Sequence, residues 1–244
     1  MNNKQRKQAL IVDADDTLWE NEAYYQQCIS DFGELMATLS FDREEAERTV
    51  DKVERERIPL TGYGPLQFAE NMVIAYEQLC ERYEQPVSDA VSSLVIEICQ
   101  LVMEPPIVLL DGVEETLAWL DGRFRLFLLT KGDREVQESK LARSGLDRFF
   151  DGVHVVPEKD AAVFRELIVV YELEPEQTWM IGNSPRSDIN PALEAGLGAI
   201  HVPHSRTWVL EQEEIAASER VVVLDSFGEL AALFSDLGET TGVK

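Results

Sequence analysis

The sequence predicts an α/β protein in which helices cover both faces of a parallel β-sheet, and two patterns support this fold class. From Ile107 onward, short apolar strands alternate with amphipathic helices. Such alternation is typical of parallel strands, because each strand needs a helical crossover before the next one can pair with it. Between Trp19 and Met103, apolar residues instead recur at helical spacing. This second pattern predicts an all-helical segment inserted into the α/β chain.

The helical insert follows the first predicted strand, which is the apolar run from Ala9 to Val12. Breaks fall at residues 40–42, 59–65 and 85–88, where Ser, Asp, Pro and Gly interrupt the helical pattern. These breaks divide the insert into about four helices.

The later part of the chain supplies the other strands and helices of the predicted sheet. Gly145 and Gly196 each follow a helical stretch, where glycine commonly ends a helix. The sequence thus predicts two domains, an α/β core of residues 1–17 and 104–244 and a helical domain of residues 18–103. The predicted core strands after the insert are residues 124–129, 153–156, 179–182 and 221–224, and the helices are residues 113–120, 134–144, 161–171, 191–195 and 227–234.

The composition restricts the partners and the compartment. The 244 residues carry a formal net charge of −24. Binding to nucleic acid or to an anionic membrane relies on clustered Lys and Arg, so this charge argues against both partners. Cys28, Cys80 and Cys99 are few and widely spaced, which argues against a disulfide framework and fits a reducing cytoplasm. No segment is long enough to span a bilayer.

Two carboxylates stand at the exit of the first strand. Asp13 and Asp15 are two residues apart, and side chains at this spacing on extended backbone point to the same side. Like charge and desolvation would raise their pKa values unless a cation neutralises them. An acidic residue after a strand can also cap a helix or make a turn, but Asp16 adds a third carboxylate here. The cluster therefore predicts a metal-assisted site.

The segment Asp13-x-Asp15-Asp16-Thr17 resembles the first motif of the haloacid dehalogenase-like hydrolases, most of which are magnesium-dependent phosphatases. Three further motifs of that family have candidates in the expected order. They are Thr130 at a strand end, followed by Lys131 and Gly132; Lys159 at the start of a helix; and the acidic loop from Gly182 and Asn183 to Asp188.

The resemblance implies a Rossmann-like core and assigns the helical insert as a cap between the first two motifs. In this family such a cap usually closes on the substrate and selects it. Within the cap, Tyr63 lies in the glycine-rich loop at residues 61–65 and is predicted to help shape the pocket. The alternative is that this loop is a plain turn leading to Pro65 at a helix start.

By the same resemblance, Asp13 attacks the phosphorus of a small phosphorylated metabolite and forms an aspartyl phosphate. Asp15, with a raised pKa, gives a proton to the leaving oxygen and later takes one from water. Mg²⁺ is held by the Asp13 carboxylate, the Asp15 backbone carbonyl and Asp188, and Asn183 adds a neutral oxygen ligand.

The resemblance also implies a binding site for the phosphoryl group. The Thr130 hydroxyl would bind it, helped by the backbone N–H groups of Lys131 and Gly132 near a helix start. Lys159 would add a fixed positive charge.

Asn183 departs from the family pattern, which usually has Asp after the glycine of the fourth motif. The dehalogenase branch of the family also has Asn in this loop and works without metal. A 2-haloacid dehalogenase-type hydrolase is therefore an alternative to the phosphatase, as is a non-catalytic sensor of a phosphorylated ligand. His201 and His204 follow a strand at a spacing that suits a metal, but the sequence shows no third ligand beside them.

Overall fold

The structure is a computed structural model that describes residues 8–240, with side chains described through residue 235. Residues 1–7 and 241–244 of the predicted core domain lie outside the described residues. The chain divides into two compact units, which are called the core unit and the helical unit below. The core unit is the chain up to Glu20 and from Ile107 onward, and the helical unit is Asn21–Pro106. Both boundaries lie three residues later than the sequence predicted, at 20 rather than 17 and at 106 rather than 103.

The described part of the core unit contains one six-stranded sheet with the order β3-β2-β1-β4-β5-β6. Every neighbouring pair of strands is parallel, which confirms the predicted sheet. The strands are β1 (Ala9–Val12), β2 (Arg125–Lys131), β3 (Gly152–Val156), β4 (Thr178–Gly182), β5 (Gly198–His201) and β6 (Val221–Val223).

Alternate residues of the central strands enter two separate apolar cores, as the twofold repeat of a strand requires. Leu10 and Val12 pack with residues of three helices in one core. Ala9 and Ile11 pack with residues of two other helices in the second core. Helices therefore cover both faces of the sheet, which confirms the predicted fold class. The helices are α6 (Val113–Leu120), α7 (Arg134–Ser144), α8 (Ala161–Val170), α9 (Asn190–Glu194) and α10 (Leu230–Thr240).

The strand order reverses at β1, and this reversal fixes where a ligand can bind. The end of β1 at Val12 pairs with Leu128 of β2 on one side and with Ile181 of β4 on the other. The chain leaves the central strands in different directions at this edge, which opens a crevice beyond their carboxyl ends. All four candidate motifs begin at this edge of the sheet or in the loops that follow it.

The helical unit contains α1 (Glu22–Thr38), α2 (Arg43–Thr61), α3 (Pro65–Arg82), α4 (Asp89–Ile98) and α5 (Gln100–Met103). These helices enclose an apolar core of their own. The sequence predicted a break from residue 59, but α2 continues through Pro59 to Thr61 and is followed by Gly62, whose φ of 76° most residues avoid. Among the described residues, no helix is long and apolar enough to cross a membrane.

Glu54 on α2 carries a carboxyl group that is costly to ionise. Its side chain is 8% exposed, and burial, with a smaller contribution from Asp51, raises the pKa of Glu54 from 4.5 to about 7. The unfolded chain releases this proton near 4.5, so the folded state loses stability as the pH rises from about 4.5 to about 7.

We therefore expect Glu54→Gln to leave the free energy of unfolding unchanged at pH 4.5 and to raise it at pH 8, by up to about 3 kcal/mol. Urea denaturation at the two pH values measures the difference. Glu56→Gln is the matched control, because the Glu56 side chain is 58% exposed and its change should be small at both pH values. A gain of the same size at both pH values would show that ionisation of Glu54 is not the cause.

Candidate active site

The carboxyl edge of the sheet gathers the motif residues of the core unit. Asp13 directly follows β1, Thr130 is the second-last residue of β2, and Asn183 directly follows β4. Lys159 lies two residues before α8, in the connection that leaves β3. Because parallel strands end at one edge, four segments that are far apart in sequence meet here.

Asp13, Lys159 and Asp188 form a buried ion cluster. Lys159 Nζ lies 2.5 Å from Asp13 Oδ1 and 2.6 Å from Asp188 Oδ1, and the side chains are 2%, 7% and 0% exposed for Lys159, Asp13 and Asp188. Burial alone would lower the pKa of Lys159, but the two carboxylates raise it above its usual value. Lys159 is therefore a fixed cation in a site that excludes water.

The Asp13 carboxyl has an unusually high pKa. Burial raises it from 3.8 to about 7, Lys159 opposes this shift, and the negative charge of Asp188 adds to it. Two carboxylates share one ammonium, so the cluster carries more negative than positive charge when both are ionised. An additional cation would lower the pKa of Asp13 again.

The loop after β4 folds back so that the Asp188 carboxylate packs against the backbone of Gly182. A Cβ atom on Gly182 would lie 2.2 Å from Asp188 Oδ2, so only glycine leaves room for this carboxylate. Residues Pro185–Ile189 form a short π-helical turn, and the Ser184 N–H donates to Asp188 Oδ2 at 3.0 Å. The sequence predicted an acidic loop here, and the turn within it fixes the carboxylate beside Lys159.

Thr17 links the first and fourth motifs. Its hydroxyl donates to Asp13 Oδ2 at 2.9 Å and lies 3.5 Å from Asn183 Oδ1. The Asn183 amide donates to Thr207 Oγ1 at 3.2 Å, which directs the carbonyl oxygen of the amide toward Thr17. The oxygen of Asn183, rather than its nitrogen, thus faces Thr17, whose hydroxyl bonds to Asp13.

Asp15 lies in different surroundings from those predicted. Its Oδ1 accepts from Trp19 Nε1 at 2.7 Å and lies 2.6 Å from Lys140 Nζ, and its Oδ2 accepts from Gln137 Nε2 at 2.8 Å. Burial would raise the pKa of Asp15, but the Lys140 ammonium and the hydrogen bonds lower it below 3.8. The expectation of a raised pKa for Asp15 is therefore wrong for this state of the protein, because the sequence did not reveal its donors.

The predicted phosphate-binding N–H of Gly132 is already engaged. It donates to the backbone carbonyl of Val156 at 3.0 Å, because β2 extends two residues beyond the predicted strand end and keeps its pairing with β3. This corrects the expectation that the Gly132 N–H binds phosphate. Thr130 is 2% exposed on β2, at the strand position next to Lys131.

Lys131 points its side chain toward the fourth motif. Its Nζ forms an ion pair with Glu211 and lies 3.0 Å from Ser187 Oγ. Glu211 also accepts from Ser184 Oγ at 2.6 Å and from Ser187 Oγ at 2.5 Å. Burial would raise the pKa of Glu211, but Lys131 and these hydroxyls lower it to about 2. Glu211 thus ties the second motif to the fourth.

Tyr63 lies in the helical unit, in the connection between α2 and α3. It stands between Gly62 with a φ of 76° and Gly64 with a φ of 154°, and α3 begins at Pro65. The connection therefore has the turn geometry that the sequence suggested. The contribution of Tyr63 to a pocket stays a prediction.

Sequence reasoning missed Gln137, Lys140, Thr207 and Glu211. Gln137 and Lys140 are three residues apart on α7, so they share one helix face, and this spacing was a usable signal for a polar pair that points inward. Thr207 and Glu211 come from the irregular segment after β5. No periodic pattern in that segment marks them as buried partners of the site.

The oxygen donors of this edge fit a hard divalent cation. Asp13, Asp188 and Asn183 are each 7% exposed or less and offer two carboxylates and one carboxamide oxygen. Mg²⁺ prefers such ligands and usually keeps several waters. A divalent cation also supplies the positive charge that Lys159 alone does not provide.

Known proteins are similar to this chain over most of its length. A family model of haloacid dehalogenase-like hydrolases matches residues 7–196. N-acylneuraminate-9-phosphatase from Mus musculus is 25% identical over 203 residues, which are 80% of this chain and 81% of that protein. The span matched by the family model contains all four motif segments.

Two solved structures share the fold over almost the whole chain. A haloacid dehalogenase-like family hydrolase from Xanthomonas campestris has a TM-score of 0.83 and 28% identity, over 99% of this chain and 96% of that one. The L-2-haloacid dehalogenase from Xanthobacter autotrophicus has a TM-score of 0.60 and 15% identity, over 95% and 99%. At 15% identity, the second similarity shows a common fold and nothing more.

Proposed function

The chain belongs to the haloacid dehalogenase-like hydrolases, and we propose that it is a magnesium-dependent phosphatase that hydrolyses a small phosphorylated metabolite through an aspartyl phosphate. Membership of the family confirms the hydrolase class predicted from the four motifs. The observation that carries the proposal is the buried cluster of Asp13, Lys159 and Asp188. The similarity of this chain to a phosphatase over four-fifths of its length supports phosphate esters as substrates.

In the first step, an Asp13 carboxylate oxygen attacks phosphorus and the bond from phosphorus to the leaving oxygen breaks. Attack requires Asp13 to be ionised, and the Lys159 ammonium at 2.5 Å favours that form. The leaving oxygen takes a proton from Asp15, which leaves the Asp15 carboxylate and the free alcohol. The product on the enzyme is an aspartyl phosphate.

In the second step, water attacks the same phosphorus atom and the bond to Asp13 breaks, which releases inorganic phosphate. Asp15 takes the proton of the attacking water, so its protonation state is restored at the end of the cycle. Lys140 and Gln137 hold Asp15 as a carboxylate in the free protein, which suits this base step. A bound phosphate dianion would raise the pKa of Asp15, because like charge disfavours ionisation, so that Asp15 takes up a proton from solvent before the acid step.

Residues around Asp13 hold the metal and the phosphoryl group. Asp13, Asp188 and Asn183 would hold Mg²⁺ together with the Asp15 backbone carbonyl. When bound, the ion offsets the repulsion between the nucleophile and the anionic substrate. Thr130 would donate its hydroxyl to a phosphoryl oxygen, and Lys159 supplies fixed positive charge.

A 2-haloacid dehalogenase is the second candidate, and the observation that favours it is Asn183. This position has a neutral carboxamide beside Thr17, which bonds to Asp13, and a neutral group would suit an enzyme that needs no metal. In that reaction Asp13 attacks carbon and displaces halide. The half-buried Asp15 and its three donors favour the phosphatase, since halide leaves without a proton.

Turnover of a panel of phosphorylated metabolites, with Mg²⁺ and with chelator, tests the proposal. We expect phosphate release from at least one phosphate ester, and its loss in chelator. Halide release from a 2-haloacid in chelator, without phosphatase activity, would replace the proposal by the dehalogenase. Binding of phosphorylated ligands without turnover of any of them would indicate a sensor.

Asn183 gives a sharper test of the metal site. We expect Asn183→Asp to lower the Mg²⁺ concentration needed for half-maximal activity about tenfold, because a carboxylate replaces a neutral ligand. Asp188→Asn should raise that concentration by at least as much. A Mg²⁺ titration of turnover measures both shifts, and an unchanged Mg²⁺ requirement in Asn183→Asp would place this residue outside the coordination sphere.

A further inference from the structure

A second group of metal-ligating side chains lies in the core unit, and the mechanism uses none of them. It consists of Asp16, Glu20 and His204, and one ligand atom from each lies within 4.8 Å of the other two. Asp16 and Glu20 belong to the segment after β1, and His204 belongs to the segment after β5. The fold therefore brings together an imidazole and two carboxylates from distant parts of the chain.

The separations within the group are wrong for hydrogen bonds. His204 Nδ1 lies 3.7 Å from Asp16 Oδ1, and His204 Nε2 lies 3.6 Å from Glu20 Oε2. A hydrogen bond between such atoms would be near 2.8 Å. Two ligands that each stand about 2.1 Å from one tetrahedral ion are roughly 3.4 Å apart. Each distance is close to that value and too long for a hydrogen bond, and an ion bound by one ring nitrogen would use only one of the two distances.

Two atoms of the group are buried without a hydrogen-bond partner. They are Nδ1 of His204 and Oε2 of Glu20, and neither is exposed to solvent. The side chains of Asp16 and His204 are only 8% and 13% exposed. Buried polar atoms normally have hydrogen bonds, so a nitrogen and an oxygen that lack them within one group of metal-ligating side chains call for an ion or a ligand.

The backbone holds the carboxylates in place before any ion binds. The Asp16 N–H donates to the Trp19 carbonyl at 2.8 Å, and the Glu20 N–H donates to the Val108 carbonyl at 2.9 Å. Asp16 has a φ of 58°, a left-handed conformation that Asp tolerates better than most residues. The group is therefore fixed by the fold rather than by flexible side chains alone.

We propose that Asp16, Glu20 and His204 form a second cation site, which takes a first-row transition metal ion such as Zn²⁺ through one imidazole nitrogen and two carboxylates. Imidazole selects these ions over Mg²⁺, which prefers oxygen ligands. The site is therefore chemically distinct from the oxygen ligands around Asp13. Arg206 lies 3.6 Å from Glu20 Oε2 with its side chain 48% exposed, and its charge competes with the ion.

Equilibrium dialysis with Co²⁺ in a large excess of Mg²⁺ tests the proposal, because Mg²⁺ occupies the oxygen site. We expect the wild-type protein to bind one Co²⁺ ion per chain and to give the visible absorption of a nitrogen-ligated Co²⁺ site. His204→Gln should lose both signals. His154→Gln is the matched control and should keep them, because His154 bonds to Tyr171 far along the chain from this group.

Two further variants keep the proposal falsifiable if His204→Gln does not fold. Glu20→Gln should weaken Co²⁺ binding at least about tenfold. Arg206→Gln should strengthen it roughly fivefold, because a neighbouring positive charge is removed. Absence of Co²⁺ binding in the wild type, or equal binding by His204→Gln or Glu20→Gln, would overturn the second site. If the His204 ring instead pairs as a cation with Asp16 and Glu20, the wild type should bind no Co²⁺ at this group. Binding is measured without substrate, so neither outcome bears on the proposed phosphatase.

Discussion

Asp13→Asn is expected to reduce kcat by about 10³-fold or more, because the neutral amide cannot attack phosphorus to form the acyl phosphate, and without the nucleophile the other catalytic groups have no reaction to assist. The fold should survive, since Asn has nearly the same shape and Lys159 keeps its ion pair with Asp188 at 2.6 Å. Steady-state kinetics with a phosphate ester measures the loss. Urea denaturation measures the stability of the variant.

Two measurements separate this result from a general loss of structure. Acid-quenched wild type should carry the mass of one phosphoryl group during turnover, and Asp13→Asn should not. Asp42→Asn is the control, because Asp42 caps α2 by accepting from the Glu45 N–H and Asn caps helices equally well. Turnover close to that of the wild type in Asp13→Asn would remove Asp13 from its role as nucleophile.

Lys159→Met is expected to lower the free energy of unfolding at pH 8 by about 3–5 kcal/mol, because it leaves two buried carboxylates without their cation. The loss should be smaller at pH 5. Asp13 has a pKa raised to about 7 by burial even with Lys159 present. A folded-state pKa above the unfolded value of 3.8 means that stability falls as the pH rises between them. Without the ammonium the folded-state pKa of Asp13 should rise further, so that the fall extends to higher pH.

Mg²⁺ should restore part of the stability of Lys159→Met, and by more than it stabilises the wild type, because the ion replaces some of the missing charge. Denaturation at both pH values, with Mg²⁺ and with chelator, gives these differences. Lys52→Met is the matched control, since the Lys52 side chain is 57% exposed and lies 3.8 Å from Glu56, a weak surface pair. Equal losses at pH 5 and pH 8 would mean that lost packing, rather than unpaired charge, destabilises the variant.

The sequence predicted the parts of the site that lie close along the chain. Asp13 and Thr17 are four residues apart and form a hydrogen bond at 2.9 Å, so a short motif already contains both partners. Order along the chain also placed Thr130, Lys159 and Asp188 at the same edge of the sheet, because parallel strands bring successive loops there. That inference needs only the alternation of strands and helices.

The sequence did not predict the groups that set the charge state of these residues. The pKa of Asp15 is lowered by Lys140, which is 125 residues away in the chain, and nothing near Asp15 indicated this partner. The Gly132 N–H was expected to be available for phosphate, but it donates a hydrogen bond to the Val156 carbonyl and so continues the pairing of β2 with β3. The errors about the pKa of Asp15 and the Gly132 N–H have the same cause. Each depends on a partner that is distant in sequence, and local sequence patterns do not predict such partners.

Periodicity and motif order by themselves determined the fold class and the family and singled out Asp13 and Lys159 as candidate site residues, because these depend on local residue choice and on sequential order. Only the tertiary structure decided which protons and charges the site holds. It placed Lys140 and Gln137 on Asp15 and tied Lys131 to Glu211. It also left the imidazole of His204 between Asp16 and Glu20. Electrostatic interactions depend on distance and burial, which a sequence does not state.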